Sequence, residues 1–389
     1  MIAPTPFFAN RGTHIRILEE ARALERRGHE VIIATYHIGD DIPDSFRSRI
    51  DVRRIRRLLF WYKKLEAGPD WQKILLDIML IRKTFFLART LRPDVLHGHL
   101  HEGVVIGWIV KYCLFWRRMK LIADFHGSLT KEMVSHEYLR QGILNRLFLW
   151  IERWIDRLGD RAVASSWENA EEIERIRGRK VEVLLDGTDI DFVSHPSRLQ
   201  QEVRKRSGVP EDAFVPIYTG ALIPNKGVQF LFDAIPIVLQ KEPSTHFIIA
   251  GFPGEHAEKM LAEKSWSKSV TLISPLPYFD LPDVLRMGDV GIEPKEAHVR
   301  QASGKMLNYM GAGLPVACFD TKNNREYIGD GAFYAREISA EGLAGAILQS
   351  CWSREEALKK ADANRERAKA FGWEKAGEKL EKIYRASCE

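Results

Sequence analysis

Cysteine is scarce, with four residues in 389 (Cys113, Cys318, Cys351 and Cys388), no CxxC pair and no framework spacing. That excludes a disulfide scaffold and a structural zinc site built on cysteine pairs, and it makes a reducing cytosol the expected compartment. Long apolar runs are missing as well. No stretch approaches the roughly 18 uninterrupted apolar residues of a membrane span, and no basic, cleavable leader opens the chain, so neither integration nor secretion is expected. Met1-Ile2-Ala3-Pro4 reads instead as the tail of a first strand, whose opening residues are expected upstream. Short-period repeats and low-complexity tracts are absent too. The net charge of +5 is modest and no recognised reading module accompanies it, so nucleic acid is not an expected partner.

What is there is enough for two globular cores, since 45% of the residues are hydrophobic and 29% charged. Short β-branched runs alternate with longer amphipathic patterns, which predicts an α/β fold of parallel sheets covered by helices. Arg16 to Arg27 reads as a helix by its Ile17, Leu18, Ala21, Leu24 stripe, stopped by Gly28. Strands are expected at Val31 to Thr35, Val95 to His97, Leu121 to Ala123, Val163 to Ser165 and Val181 to Leu185. After Asp186-Gly187-Thr188-Asp189 the sequence turns polar, a domain junction placed at 193/194. A second series opens at Val215 to Tyr218. It continues with a helix from Gly227 to Leu239, strands at Phe247 to Ala250, Val270 to Ile273 and Val290 to Ile292, a helix from Lys305 to Met310 and a strand at Pro315 to Phe319. Two consecutive doubly wound halves are expected to turn the carboxyl ends of their strands toward a shared cleft.

Several short motifs recur in a fixed order. They are Gly12 after the first strand, Gly28-His29-Glu30-Val31, Pro93-Asp94-Val95-Leu96-His97, Asp186-Gly187-Thr188-Asp189, Gly220 with Lys226-Gly227, and Lys305 leading into Tyr309-Met310-Gly311-Ala312-Gly313-Leu314-Pro315-Val316. In this order the chain resembles the GT-B glycosyltransferases, specifically the retaining glycosyltransferase family 4 (glycosyl transferases group 1), over nearly its whole length. The resemblance implies a GT-B fold of two Rossmann-like domains. An acceptor-binding domain would span 1–193 and a nucleotide-sugar-binding domain 194–373, with a last helix, about 374–389, entered through Phe371-Gly372-Trp373 and packing back on the first. It also implies sugar transfer from a nucleotide sugar, a UDP- or GDP-sugar, with no metal and no other cofactor.

Such a transfer, without a covalent intermediate, passes through an oxocarbenium-like sugar while the diphosphate gains charge, so fixed cations and dipoles near that diphosphate dominate. Lys226 and Lys305 are the candidates. Each stands at a predicted helix start, and Ser303-Gly304 before Lys305 offers free backbone N–H groups to an anion. Gly12 and Gly220 would let substrate approach the backbone. By resemblance His126, after the strand Leu121 to Ala123, matches a histidine near the donor sugar and diphosphate. His97, His99 and His101 alternate and would bring three imidazoles to one face of an extended segment. Zinc is weighed there and set aside for a structural or cleft-edge role, since no further ligand cluster is recognisable.

The pattern departs from the family at three places. Asn308 stands where a glutamate is common, Arg300 where another is, and Ala221 where many relatives carry a phosphate-binding arginine. Asn308 is expected to accept from a donor hydroxyl through its amide oxygen, and Glu293 or Glu296 to replace the missing first carboxylate. Arg53, Arg54, Arg56, Arg57, Lys63 and Lys64 surround Leu58-Leu59-Phe60-Trp61-Tyr62, and a second basic-aromatic stretch runs Trp108 to Lys120. Both suit an anionic membrane surface. The expected function is a retaining transfer to a lipid-linked or glycan acceptor, a polysaccharide precursor of the cell envelope, by a cytoplasmic enzyme peripheral on the inner face of the membrane. The rival readings are a sugar-nucleotide epimerase and a degenerate relative that binds nucleotide sugar or a partner without turnover.

Overall fold

Strands buried on both faces read as nearly continuous apolar runs, and the runs found in the sequence become parallel strands. The computed structural model describes residues 1–43, 46, 49–64, 70–135, 142–223, 226–296 and 304–389. Its first sheet contains β1 (Ile2–Ala3), β2 (Ile32–Thr35), β3 (Asp51–Arg54), β4 (Val95–His99), β5 (Lys120–Phe125), β6 (Arg161–Ala164) and β7 (Glu182–Val183), in the order β3-β2-β1-β4-β5-β6-β7. The second contains β8 (Pro216–Ala221), β9 (Phe247–Phe252), β10 (Val270–Ile273), β11 (Val290–Glu293), β12 (Val316–Phe319) and β13 (Ala332–Ala335), in the order β10-β9-β8-β11-β12-β13. Counted from its own first strand, each sheet contains the run 3-2-1-4-5-6, the doubly wound order that reverses direction beside its first strand. Ligands of such sheets bind at the carboxyl ends of the strands at that reversal: β1 and β4 in one sheet, β8 and β11 in the other.

The chain divides into two compact units, Met1–Asp186 with Trp373–Glu389, and Gly187–Gly372. In the first, α1 (Gly12–Arg26) begins a turn earlier than the stripe predicts and buries Ile17, Leu18, Ala21 and Leu24. The helices α2 (Trp71–Leu91), α3 (Leu100–Cys113) and α4 (Ile143–Ile155) follow β3, β4 and β5. Asp70 caps α2 by accepting from Gln72 N (2.9 Å). In the second unit, α5 (Val228–Lys241) starts after Gly227, whose φ of +72° and close approach to Pro294 O (1.9 Å from a would-be Cβ) admit only glycine. A further helix, α6 (Gly304–Gly311), buries Met306, Leu307, Tyr309 and Met310. The last helix, α7 (Trp373–Cys388), belongs to the first unit. Gly377 lies against Ala23 of α1, where a Cβ would stand 2.7 Å from that of Ala23, and Arg27 pairs with Glu381.

The basic run near residue 53 is not all free surface. Arg53 and Arg54 end β3, and Arg54 donates to Asp41 Oδ1 (2.8 Å), Phe7 O (3.0 Å) and Asp40 O (2.7 Å), while Arg53 pairs with Asp51. Arg54 therefore clamps two loops of its own unit, which removes it from the expected lipid-facing cluster.

Candidate active site

In the second unit the Lys305 side chain lies at the reversal point. Gly220, near the end of β8, takes φ +139° and pairs with Gly251 of β9, where a Cβ would stand 1.7 Å from Gly220 O. Lys305 lies against Gly220, its Cδ 3.6 Å from where a Gly220 Cβ would be. Lys305 Nζ reaches Glu293 Oε1 at 3.1 Å, at the end of β11, and stands 4.2 Å from the centroid of the Tyr218 ring. Glu293 is fully buried and the Lys305 side chain is 13% exposed. Burial, with Glu293 adding to it, pushes the Tyr218 hydroxyl well above its ordinary range, so it stays protonated and donates to Ala221 O (2.8 Å).

Among the described residues, nothing packs on Gly304 at the start of α6. Gly304 has no left-handed φ, and no atom lies within 4 Å of its would-be Cβ, so packing among the described residues does not call for glycine there. What a missing side chain does provide is approach to the free N–H groups of the first turn, where an anion is favoured. Lys226 precedes Gly227 and donates its backbone N–H to Ile223 O (3.0 Å). Because Gly227 is pressed on Pro294, the residue after Glu293, the Lys226 backbone is held beside the β11 end. Ser303 and Arg300 lie outside the described residues. Glu296 is half-buried on the segment after β11, but the carboxylate that meets Lys305 is Glu293.

Asn308 has a partner within its own unit. Thr188 Oγ1 donates to Asn308 Oδ1 at 3.0 Å, so the amide oxygen assigned to a donor hydroxyl already holds one hydrogen bond and retains a single lone pair. The same Thr188 gives its N–H to Phe371 O (3.0 Å) and bridges Gly372. Two motifs far apart in sequence are thereby tied to a third.

In the first unit His126 follows β5, and its Nε2–H donates to Asp124 Oδ2 (3.1 Å). With Nε2 turned to Asp124, the other ring nitrogen, Nδ1, is a buried atom with no hydrogen-bond partner among the described residues. Asp124 is the hub of a sealed cluster. It takes Arg16 Nη2 (3.2 Å) and His99 Nδ1 (3.1 Å) as well. Burial would raise its carboxyl, but Arg16 and His126 outweigh it and hold it well below the usual range. Arg16 also donates to Leu184 O (2.8 Å) and Asp186 Oδ1 (3.0 Å) and lies 2.9 Å from Glu20 Oε1. Burial, aided by Asp124 and Asp186, pushes the Glu20 carboxyl well above the usual range despite Arg16.

The three alternating histidines part company. His97 and His99 stack at 4.2 Å and face Asp124, and Tyr384 OH of α7 donates to His97 Nδ1 (2.6 Å). Leu100, at φ +62°, then turns the chain into α3, and His101 points instead to Asp156 (3.4 Å) and Glu152 (3.7 Å). The expectation of one shared face assumed an extended segment that stops at His99. Ligand atoms of Glu20, His97, His99 and Asp124 lie within 4.8 Å of one another, close enough to share a cation. The Arg16 guanidinium already supplies a positive charge in contact with both carboxylates, which argues against a second one.

Gly12 opens α1 as Gly304 opens α6. No atom lies within 4 Å of its would-be Cβ and its φ is not left-handed, so here too the described structure does not itself require glycine. The loop before it is fixed by His14, whose Nδ1 accepts from Ala9 N (3.0 Å) and whose Nε2–H donates to Thr5 Oγ1. Burial lowers the His14 pKa to about 3, so it stays neutral in that role. Neither the His14 latch nor the Arg16–Asp124 hub was foreseen from the sequence, where no short motif marks partners that lie up to 170 residues apart.

Comparison with known proteins agrees with this architecture. Residues 10–192 match the profile of Glycosyltransferase Family 4, and residues 213–351 that of Glycosyl transferases group 1. A D-inositol 3-phosphate glycosyltransferase from Streptosporangium roseum is 24% identical, over 96% of this chain and 88% of that one. Among solved structures, a sucrose-phosphate synthase from Thermosynechococcus elongatus superposes with a TM-score of 0.76 at 16% identity, covering 99% of this chain and 97% of that one. HepE from Anabaena, solved in complex with UDP-glucose, superposes with a TM-score of 0.72 at 17% identity, covering 99% and 98%. With a family profile matching each half, two sheets of the same doubly wound order and the motifs placed at their reversal points, the chain belongs to the GT-B glycosyltransferases of family 4 and is a glycosyltransferase.

Proposed function

We propose that this enzyme takes a hexose or related sugar from a UDP- or GDP-sugar and transfers it, with retention, to a lipid-linked or polysaccharide-precursor acceptor at the inner face of the cell membrane. The second unit binds the donor and the first the acceptor. The observation that carries this reading is Lys305, in the first turn of α6, beside Gly220 and Glu293. The support from relatives is the UDP-glucose bound by HepE and the sugar transfer named for the Streptosporangium protein.

As the bond from sugar to diphosphate lengthens, negative charge grows on the leaving oxygens. Lys305 and Lys226 supply cations there, while Gly220, Ser303 and Gly304 let backbone N–H groups approach. These lysines do the charge-stabilising work that a metal does in other transferases, and the role assigned to them needs no metal or other cofactor. Glu296 and the remaining lone pair of Asn308 accept from donor hydroxyls, and Ala221 leaves the diphosphate dependent on lysines and backbone. His126 presents Nδ1 as an acceptor to a substrate hydroxyl, oriented through Asp124, and Gly12 admits substrate to the start of α1.

The test is product analysis with a panel of UDP- and GDP-sugars and lipid-linked acceptors, reading the anomeric configuration of the new bond by NMR. A new glycosidic bond with the donor's configuration is expected. An inverted bond would contradict retention, and an isomerised nucleotide sugar without a new bond would contradict transfer to an acceptor.

A further inference from the structure

The helix α4 is apolar on two sides. Inward, Ile155 is buried and Ile151 packs against the core, beside Glu152, which accepts from Ser128 Oγ (2.7 Å) and Thr130 N (3.1 Å), and Asp156, just past the helix end, which faces His101. A second set of apolar groups turns outward. At about 100° per residue, Ile143, Leu147, Trp150 and Trp154 fall within about 60° of one another, and all are exposed, Ile143 by 87% and Trp150 by 68%. A helix facing water has the opposite arrangement. Three arginines, Arg146, Arg153 and Arg157, follow one edge of the stripe and are exposed, whereas the only acidic side chain of α4 is the buried Glu152. Among the described residues, the outward face of α4 is therefore apolar, aromatic and basic.

The stripe continues onto the neighbouring helix. Trp154 meets Trp108 of α3 edge to face (5.6 Å between centroids), and Trp108 stacks on Tyr112 (5.9 Å). Since α2 packs on α3 and α3 on α4, the three form one layer over the same face of the sheet. Among the described residues no helix is long and apolar enough to cross a membrane, so the match is to a helix lying in an interface. Such helices bury an apolar face to a depth of about 5–10 Å, place tryptophan at the headgroup level and set arginine against lipid phosphates.

We infer that α4, with Trp108 and Tyr112 beside it, is the element that inserts into an anionic lipid bilayer, while Arg56 and Arg57 contribute only at the rim. This rests on the membrane-face part of the proposed function and gives it a specific surface. The lipid headgroup is preferred over a protein partner because, among the described residues of α4, the charges beside the outward apolar stripe are the arginines Arg146, Arg153 and Arg157.

Co-sedimentation with vesicles of phosphatidylglycerol and phosphatidylcholine tests it, with Leu147→Ser/Trp150→Ser compared against Arg56→Ala/Arg57→Ala. The first pair should weaken binding about tenfold or more, because interfacial binding scales with buried apolar area, and the second should weaken it less. If the α4 pair binds like wild type and the arginine pair does not, the membrane reading stands and the α4 assignment falls. Wild type that binds no anionic vesicle at low salt overturns both. A wild-type dimer that the α4 pair converts to a monomer assigns the stripe to a second copy of this chain and overturns the lipid. Trp150→Phe, which keeps the apolar character, guards against misfolding of the pair. The fluorescence that Trp150 contributes should be quenched by brominated lipid, and no quenching would overturn insertion.

Discussion

Arg16 of the first unit and Lys305 of the second are both enclosed cations beside carboxylates, yet their surroundings differ. Arg16 meets Asp124, Asp186, Glu20 and the Leu184 carbonyl, which engage its guanidinium from every side. Lys305 meets one carboxylate among the described residues, Glu293, and lies against Gly220 and the Tyr218 ring. A cation saturated by its own chain is scaffold. One with donors to spare, at the reversal point of a doubly wound sheet, can receive an anionic ligand.

Arg16→Met should produce the largest loss. It leaves Asp124 buried and short of its strongest partner, so unfolding free energy should fall by about 3–5 kcal/mol in a denaturant titration. Lys305→Ala should instead act on turnover, lowering kcat about a hundredfold or more, with Lys226→Ala similar. The loss of folding stability at Lys305 should be smaller, because Glu293 keeps the Lys295 N–H (3.2 Å) and can take up a proton. If Arg16→Met slowed catalysis without destabilising the fold, the contrast between the two sites would break.

Asn308 sharpens the comparison at a smaller scale. Asn308→Ala should weaken donor binding by about 1–3 kcal/mol if its free lone pair takes a donor hydroxyl. Thr188→Val, which frees that oxygen rather than removing it, should leave donor affinity unchanged and reduce stability by about 1 kcal/mol. Equal losses of affinity in the two variants, read by calorimetry, would make the Thr188–Asn308 bond purely architectural. The smallest effect is expected at Gly304. Gly304→Ala should leave the fold unchanged or more stable by about 0.5–1 kcal/mol while donor affinity falls. A variant that is both more stable and as tight a binder would mean that nothing approaches the α6 start.

Most of the fold was legible because doubly covered strands such as Phe247–Phe252 and Val316–Phe319 are apolar along their whole length. Two of the four edge strands, β3 and β13, were not. Asp51–Arg54 has one apolar residue in four and read as part of a basic membrane patch, and Ala332–Ala335 was passed over. At the site, Lys305 and Gly220 were found through motif order, and Glu293 was considered only beside Glu296, since spacing along a loop does not say which carboxylate turns inward. The Thr188–Asn308 bond spans 120 residues and has no local signature. Nor has the outward face of α4: Ile143, Leu147, Trp150 and Trp154 have the spacing of a buried stripe, and only the burial of Glu152 on the opposite side reveals which way the helix is turned.

The central claim is that Lys305 holds the donor diphosphate. Calorimetric titration of UDP-glucose and a GDP-hexose into wild type, Lys305→Ala and Lys305→Ala/Glu293→Gln tests it most directly, the double variant removing the carboxylate that would otherwise repel the ligand. One of the two nucleotide sugars should bind wild type, and both variants should bind it at least about tenfold more weakly, as expected for loss of a charge-assisted contact. Wild-type affinity in the double variant would contradict the assignment.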